Sequence, residues 1–317
     1  MTQVLHVNSF VPIITLRRRA LIRIYSWLKS SSVQKKHFSV SKYCPYTMSQ
    51  GTVHHVAKSG FETSKLYDQV RPAYSEEAVK FLIGKLGISH QDASSNQPVR
   101  ILELGAGTGK FTDVLLKVLR GSNVEIIASE PLLSMREEFK QKFPATEMKD
   151  FSAENIGLPH GSVHAVIAAQ SFHWFANEKS LSEIQRVLVP SGKFGLVWNV
   201  RDHSVPWVKE MDDDVILPLY EQSNTPKAQS GEWKRLVMAS DKFGSLEGDE
   251  SFKNEQVMTF DEFVRRLLSI SVIAVKSDEE KKMEIDKIKS ILNKHIKLET
   301  DKVILPYKIE MYWCERM

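Results

Sequence analysis

Val99 to Thr112 reads V-R-I-L-E-L-G-A-G-T-G-K-F-T. The apolar run from Ile101 to Leu104 ends in three glycines at alternate positions, Gly105, Gly107 and Gly109. The stretch after Lys110, F-T-D-V-L-L-K-V-L-R, repeats its apolar side chains at helical spacing. A buried strand therefore turns sharply into a helix through a loop without side-chain bulk. Glycine tolerates such a turn and lets backbone approach a ligand closely. The N–H groups that open the helix then face whatever binds there. The pattern predicts a nucleotide-like ligand at the carboxyl end of a parallel strand.

A dinucleotide fingerprint, G-x-G-x-x-G, needs glycine where this chain has Lys110. That departure weakens a nicotinamide-dinucleotide oxidoreductase reading. About 20 residues on, such sites place an acid that takes ribose hydroxyls. The second apolar run, N-V-E-I-I-A-S, delivers Glu130 at its carboxyl end, followed by Pro131.

At these residues the chain resembles the class I S-adenosylmethionine-dependent methyltransferases. The similarity is to the type 11, small-molecule branch with ubiquinone-biosynthesis and trans-aconitate methyltransferase relatives. E-L-G-A-G-T-G resembles the first motif of that family and I-I-A-S-E-P the second. F-S-A-E-N-I-G-L-P-H-G-S-V-H-A-V-I-A-A-Q-S-F-H-W-F, from Phe151 to Phe175, resembles its adenine loop, fourth strand and active-site edge. Arg186 to Asp202 is similar to the fifth-strand region, and Ser64 to Tyr74 to an element that precedes the sheet. The likeness covers roughly residues 60 to 205, and the order and spacing of the motifs carry it.

The resemblance implies an α/β fold: a doubly wound, mostly parallel seven-stranded Rossmann-like sheet with a late helical insertion and an antiparallel C-terminal strand. It implies S-adenosylmethionine as cofactor. Gly105, Gly107 and Gly109 would pass the methionine part and ribose edge, and Glu130 would accept from both ribose hydroxyls. Ala153 and Glu154 match the adenine loop, and Gln170 ends the fourth strand beside the methionine moiety. Arg71 would pair with the cofactor carboxylate, a fork that suits arginine. Tyr67 would cover the sulfonium with its ring face. His173 and Trp174 are the catalytic candidates. A histidine has the right ordinary pKa for a general base near neutrality. The opposing reading makes Phe172, Trp174 and Phe175 a hydrophobic wall with His173 structural, since methyl transfer needs mainly alignment.

Charge divides the chain. Residues 1–61 hold nine Lys or Arg and no acid, whereas the remainder carries 34 basic and 39 acidic residues. The acidic balance of the main part offers no electrostatic footprint for nucleic acid. No N-P-P-Y-type sequence follows the fourth strand; Q-S-F-H-W-F stands there instead. The partner expected is a small molecule, with no nucleic acid and no integral membrane segment, and no pattern specifies an oligomeric state. Residues 1–47 form a basic leader rich in Arg and Ser, read as a disordered extension or an organellar transit peptide. The location expected is the cytoplasm, or the mitochondrial matrix if the leader is a transit peptide. The two cysteines, Cys44 and Cys314, have no disulfide-framework or metal-type spacing.

The domain expected spans 48–317, with its core over 99–200 and a helical cap over about 206–300. Helical pattern covers Phe61–Gly87, with Ser75 as an N-cap. Strands are predicted at 99–104, 124–129, 146–149, 163–169 and 193–199, alternating with helices at 109–120, 132–142 and 177–187. Further helices are predicted at 206–221, 230–240, 260–269 and 277–297. S-F-K-N-E-Q-V-M and V-I-L-P-Y-K-I-E-M-Y-W are the candidate strands of a late hairpin. The function expected is methyl transfer to a small acceptor. A non-catalytic S-adenosylmethionine-binding module and a quinone-type C-methyltransferase stay open as alternatives.

Overall fold

The computed structural model describes residues 68–88, 97–296 and 302–317. The leader, Tyr67 and the turn-rich segment before the first strand fall outside the described residues.

Helix α1 (Glu76–Lys85) opens on Ser75, whose hydroxyl accepts from the Ala78 N–H, with Glu76 and Glu77 at its positive end. Then follow β1 (Val99–Leu104), α2 (Lys110–Val118), β2 (Val124–Ser129), α3 (Leu133–Lys142) and β3 (Glu147–Lys149). Next come β4 (Val163–Ala169), α4 (Glu178–Val187) and β5 (Leu188–Arg201). The late region holds α5 (Pro206–Met211), α6 (Leu217–Gln222), α7 (Glu232–Ala239) and β6 (Glu247–Thr259). It ends with α8 (Phe260–Leu268), α9 (Ser271–Ala274), α10 (Asp278–His295) and β7 (Lys302–Glu315).

The seven strands make one sheet in the order β3-β2-β1-β4-β5-β7-β6. The first five are mutually parallel, and β7 runs antiparallel to both its neighbours. Successive residues of each central strand feed opposite faces, so both must be apolar, as in parallel sheets covered on two sides. Leu102, Leu104, Val166, Ala168, Leu196 and Trp198 pack on one face with Leu181 and Ile184 of α4. Ile101, Ala165, Ile167 and Val197 pack on the other with Leu82 of α1 and Leu115 of α2.

Strand register explains where the cap sits. The β5–β7 pairing ends at Arg201 opposite Tyr307, whereas β6 and β7 stay paired to Thr259 opposite Lys302. The hairpin therefore overhangs the carboxyl end of β5. Val303 and Leu305 on that overhang, with Tyr307 at its base, pack with Trp207, Phe263, Ile270 and Leu292 in a separate apolar cluster. Helices α5, α6 and α8–α10 thus stand over the edge of the sheet where parallel-strand loops gather.

Three elements differ from expectation. Strand β5 begins at Leu188, because an irregular register between Val163 and Ala165 accommodates Ser191 at φ 59°. The single helix expected at 206–221 is α5 and α6 joined by a π turn over Asp212–Ile216. Pro218 lacks the N–H that would bond the residue 214 carbonyl, and the ladder widens there. The short helix α9 has no counterpart in the sequence reading. Among the described residues, no helix is long and apolar enough to cross a membrane.

Candidate functional site

The strand order reverses between β1 and β4, so a crevice opens beyond their carboxyl ends. Gly105, Glu130, Gln170 and Arg201 follow or end four parallel strands and share that edge.

The three glycines do different work. All have positive φ, at 67°, 59° and 87° for Gly105, Gly107 and Gly109. A Cβ on Gly105 would meet Ser171 Cβ at 2.7 Å, and one on Gly109 would meet Phe143 Cε2 at 2.3 Å. Those two are required by close packing as well as by the turn. At Gly107 the nearest atom is Met135 Sδ at 3.6 Å, so its face is the open one of the loop.

Glu130 turns toward this loop. One carboxylate oxygen accepts from the Gly107 N–H at 3.0 Å and the other from the Leu132 N–H at 2.9 Å. Burial pushes its carboxyl up to about 7, against the pull of those two N–H donors and of Arg136. Glu103, buried inside β1, accepts from the Thr112 hydroxyl at 2.7 Å. Its carboxyl is pushed up to about 8 by burial, with the nearby Glu130 charge adding to the rise. Two carboxyl groups thus lie beneath one glycine loop, which makes the spot sensitive to hydrogen-bond donors arriving from a ligand.

The adenine-loop candidates separate. Ala153 is buried with Ile156 and Leu158 in the sheet core. Glu154 accepts from the Asn177 side-chain amide at 3.0 Å, and Asn177 in turn caps α4 by accepting from the Ser180 N–H. Gln170 adopts φ 55° and donates from Nε2 to the Asn199 carbonyl at 2.9 Å, which ties the ends of β4 and β5 together.

His173 and Trp174 lie in a 3-10 turn, Phe172–Trp174. Phe172 anchors that turn in the core, edge-on to Phe175, Phe194 and Trp233. His173 Nδ1 accepts from the Trp198 indole N–H at 3.3 Å, which leaves Nε2–H as its other polar group. Burial, with the Arg71 charge nearby, pushes the His173 imidazole down to about 3. At neutral pH the ring is therefore uncharged in this arrangement.

Arg71 belongs to a segment lying across the late hairpin. Gln256 donates to the Val70 carbonyl at 3.1 Å, and Asn254 to the Ala73 carbonyl at 2.7 Å. Arg71 itself donates to the Ser269 carbonyl at 2.7 Å, just after α8. Thr108 in the glycine loop donates to Asp68 at 2.7 Å, so the same segment also touches the cradle. Tyr67 lies outside the described residues.

The structure adds residues that the sequence reading left out. Asp212, at the start of the π turn, accepts from Arg201 Nε at 2.7 Å and contacts His203 Nε2 at 2.7 Å. Burial alone would raise the Asp212 carboxyl, but Arg201 and His203 outweigh it and hold it below the usual range. Arg266 is buried on α8 beside Tyr307. A sequence signal existed for it: Phe263, Arg266 and Leu267 lie on one helical stripe, and a cation on an apolar stripe is exceptional.

A family model described as a methyltransferase domain matches residues 102–196. An uncharacterized methyltransferase-like protein of Schizosaccharomyces pombe is 37% identical over 219 residues, covering 68% of this chain and 82% of that protein. The chain belongs to the class I methyltransferases, type 11 family. A second Schizosaccharomyces pombe methyltransferase, also uncharacterized, is 42% identical over 144 residues, covering 45% of this chain and 53% of its own length. The solved "Putative Type II Methyltransferase" from Anaeromyxobacter dehalogenans shares the fold at a TM-score of 0.53 and 21% identity, covering 78% of this chain and 96% of that one.

Proposed function

We propose that this methyltransferase uses S-adenosylmethionine and methylates a small molecule. The observation that supports this best is the Glu130 carboxylate gathered under the open face of Gly107, at the carboxyl ends of two adjacent parallel strands. The donor set fits the cofactor. Beyond the Gly107 and Leu132 N–H groups that it meets among the described residues, the buried Glu130 carboxylate has lone pairs for ribose hydroxyls, and the bulk-free loop lets backbone approach the methionine end.

The cofactor would supply an electrophilic methyl on sulfonium. The chain's own residues then bind, align and exclude water. Glu130 would hold the ribose, Gly107 would pass the methionine chain, and Gln170 would brace the β4 edge beside it. Arg71 would meet the cofactor carboxylate and Tyr67 would cover the sulfonium. In the adenine loop, Ala153 would serve through its backbone, because its methyl is in the core. Glu154 would hold that loop against α4 through Asn177. His173, neutral and donating from Nε2, would orient the acceptor, with Trp174 walling the pocket.

Isothermal titration of the full chain with S-adenosylmethionine tests this reading. Saturable 1:1 binding is expected, and no heat at millimolar cofactor would refute it.

A further inference from the structure

Arg266 is 3% exposed, and its Nε and Nη1 have no hydrogen-bond partner among the described residues. A buried guanidinium brings five N–H donors and a fixed charge, so it is normally paired or hydrogen-bonded. Here two of its neighbours are themselves cations: the charges of Arg71 and Arg201 both act on it. Arg201 is already matched, since Asp212 takes its Nε with both carboxylate oxygens, at 2.7 and 2.9 Å. The Tyr307 hydroxyl is the one side-chain partner that the structure gives Arg266 among the described residues, and it donates its own proton to Gln256 at 2.9 Å. Three cations therefore gather over the carboxyl edge of the sheet, on the overhang that carries the cap, with one carboxylate committed among them.

The position of this cluster bears on what it holds. Arg201 ends β5, and Arg71 also acts on His173 at the end of β4. The cluster is thus on the cap side of the crevice, away from Glu130 at the end of β2. The Arg201 side chain is 12% exposed, so the cluster is enclosed yet not sealed. An anion arriving there would meet a donor fork already desolvated and positioned, the situation in which a charged hydrogen bond discriminates most strongly.

We propose that Arg266 is the recognition residue for an acidic group, carboxylate or phosphate, on the methyl acceptor. This rests on the cofactor reading above and adds the chemical class of the acceptor to it. Arg201, fixed by Asp212, borders the same subsite, and Arg71 lies between it and the neutral His173.

The test uses the full chain saturated with S-adenosylhomocysteine, whose own binding is measured first. Calorimetric titration follows with aliphatic acids of four to ten carbons, the matching phosphate monoesters and the matching amides. The expected result is 1:1 binding of acids or phosphate monoesters about tenfold or more tighter than the amides. Whichever of the two binds tighter identifies the acidic group. Arg266→Met should abolish that preference while leaving amide affinity unchanged, and Arg266→Lys should retain part of it. Should Arg266→Met fail to fold, Arg266→Lys and the acid-against-amide comparison in the parent chain decide alone.

No preference for acids in the parent chain, or an undiminished preference in either variant, would overturn the proposal. So would an Arg266 variant that weakens S-adenosylhomocysteine but not methylthioadenosine, because Arg266 would then serve the cofactor carboxylate. Failure of S-adenosylhomocysteine to bind at all would sink the cofactor reading and this proposal together. Its binding without acid preference would sink this proposal only.

Discussion

Glu130 gives the cradle a pH signature that can be worked out in advance. Its carboxyl is pushed up to about 7 by burial in the unliganded protein. To accept from two ribose hydroxyls it must be ionised, since a protonated carboxyl gives up one acceptor site to its own proton. Ribose donors hold the bound-state pKa lower, so cofactor affinity is level above about pH 8 and falls as pH drops through 7. The limiting slope is tenfold per pH unit, so binding at pH 6 should be about tenfold weaker than at pH 8. Glu130→Gln removes the titration. Whichever way the new amide turns, its NH2 faces either the Gly107 or the Leu132 N–H, each now within 3.0 Å of a carboxylate oxygen. Losing one charge-assisted bond to the ribose, at about 1.5–3 kcal/mol, weakens binding about 10- to 150-fold. Calorimetry with S-adenosylmethionine from pH 5.5 to 8.5 on both proteins reads both effects, and the variant supplies the baseline for the ligand's own amine. A wild-type pH trend that parallels Glu130→Gln would refute the reasoning.

Other outcomes follow from the same geometry. Gly109→Ala drives a Cβ to 2.3 Å from Phe143 at φ 87°, so overpacking and left-handed strain should each lower stability, together by about 2–4 kcal/mol in denaturant unfolding. A loss below about 0.5 kcal/mol would show that Phe143 yields freely. The His173 ring, held neutral with its pKa down at about 3, should show no change in its Cε1 NMR shift between pH 5 and 8; a midpoint near 6.5 would contradict its burial. Asp212→Asn leaves Arg201 beside a neutral amide, and breaking a buried pair costs about 3–5 kcal/mol. Asp212→Asn with wild-type stability would mean that solvent already screens this pair.

The central sheet was legible because its strands are buried on both faces. β1, β2 and β4 carry near-continuous apolar runs, so the sequence run and the strand end together at 99–104, 124–129 and 163–169. Glu130 was legible for the same reason: it is the first acid after such a run. The cap was less so. D-D-D-V-I-L-P reads as continuous helix, and only the clash of Pro218 with the preceding turn shows that Asp212 begins a π segment. R-R-L-L reads as an amphipathic end with its arginines in water. Arg265 and Arg266 are adjacent, yet only the second falls on the stripe shared with Phe263. Which cation turns inward is decided by helical phase, and its neighbours Tyr307 and Arg71 come from segments distant in the chain. Glu154 shows the converse. Its position in the motif is clear, but the distant Asn177 decides what its carboxylate touches.

Two ends of the site share one frame. The segment carrying Arg71 is held by Asn254 and Gln256 of β6, and Asn199 of β5 reaches the same Ala73 carbonyl at 3.3 Å. Asp68, two residues before Val70, takes the Thr108 hydroxyl of the glycine loop and the Lys142 ammonium of α3. The hairpin that raises the cap over the sheet therefore also clamps the strap that closes onto the cradle. Arg71 donates across this strap to Ser269, just after the cap helix that bears Arg266. A shift of α8 relative to the sheet must move Arg71 or break its bond to Ser269. The proposed cofactor end and the proposed acceptor end are in that way bridged by one short segment, although their residues lie in separate layers of the fold.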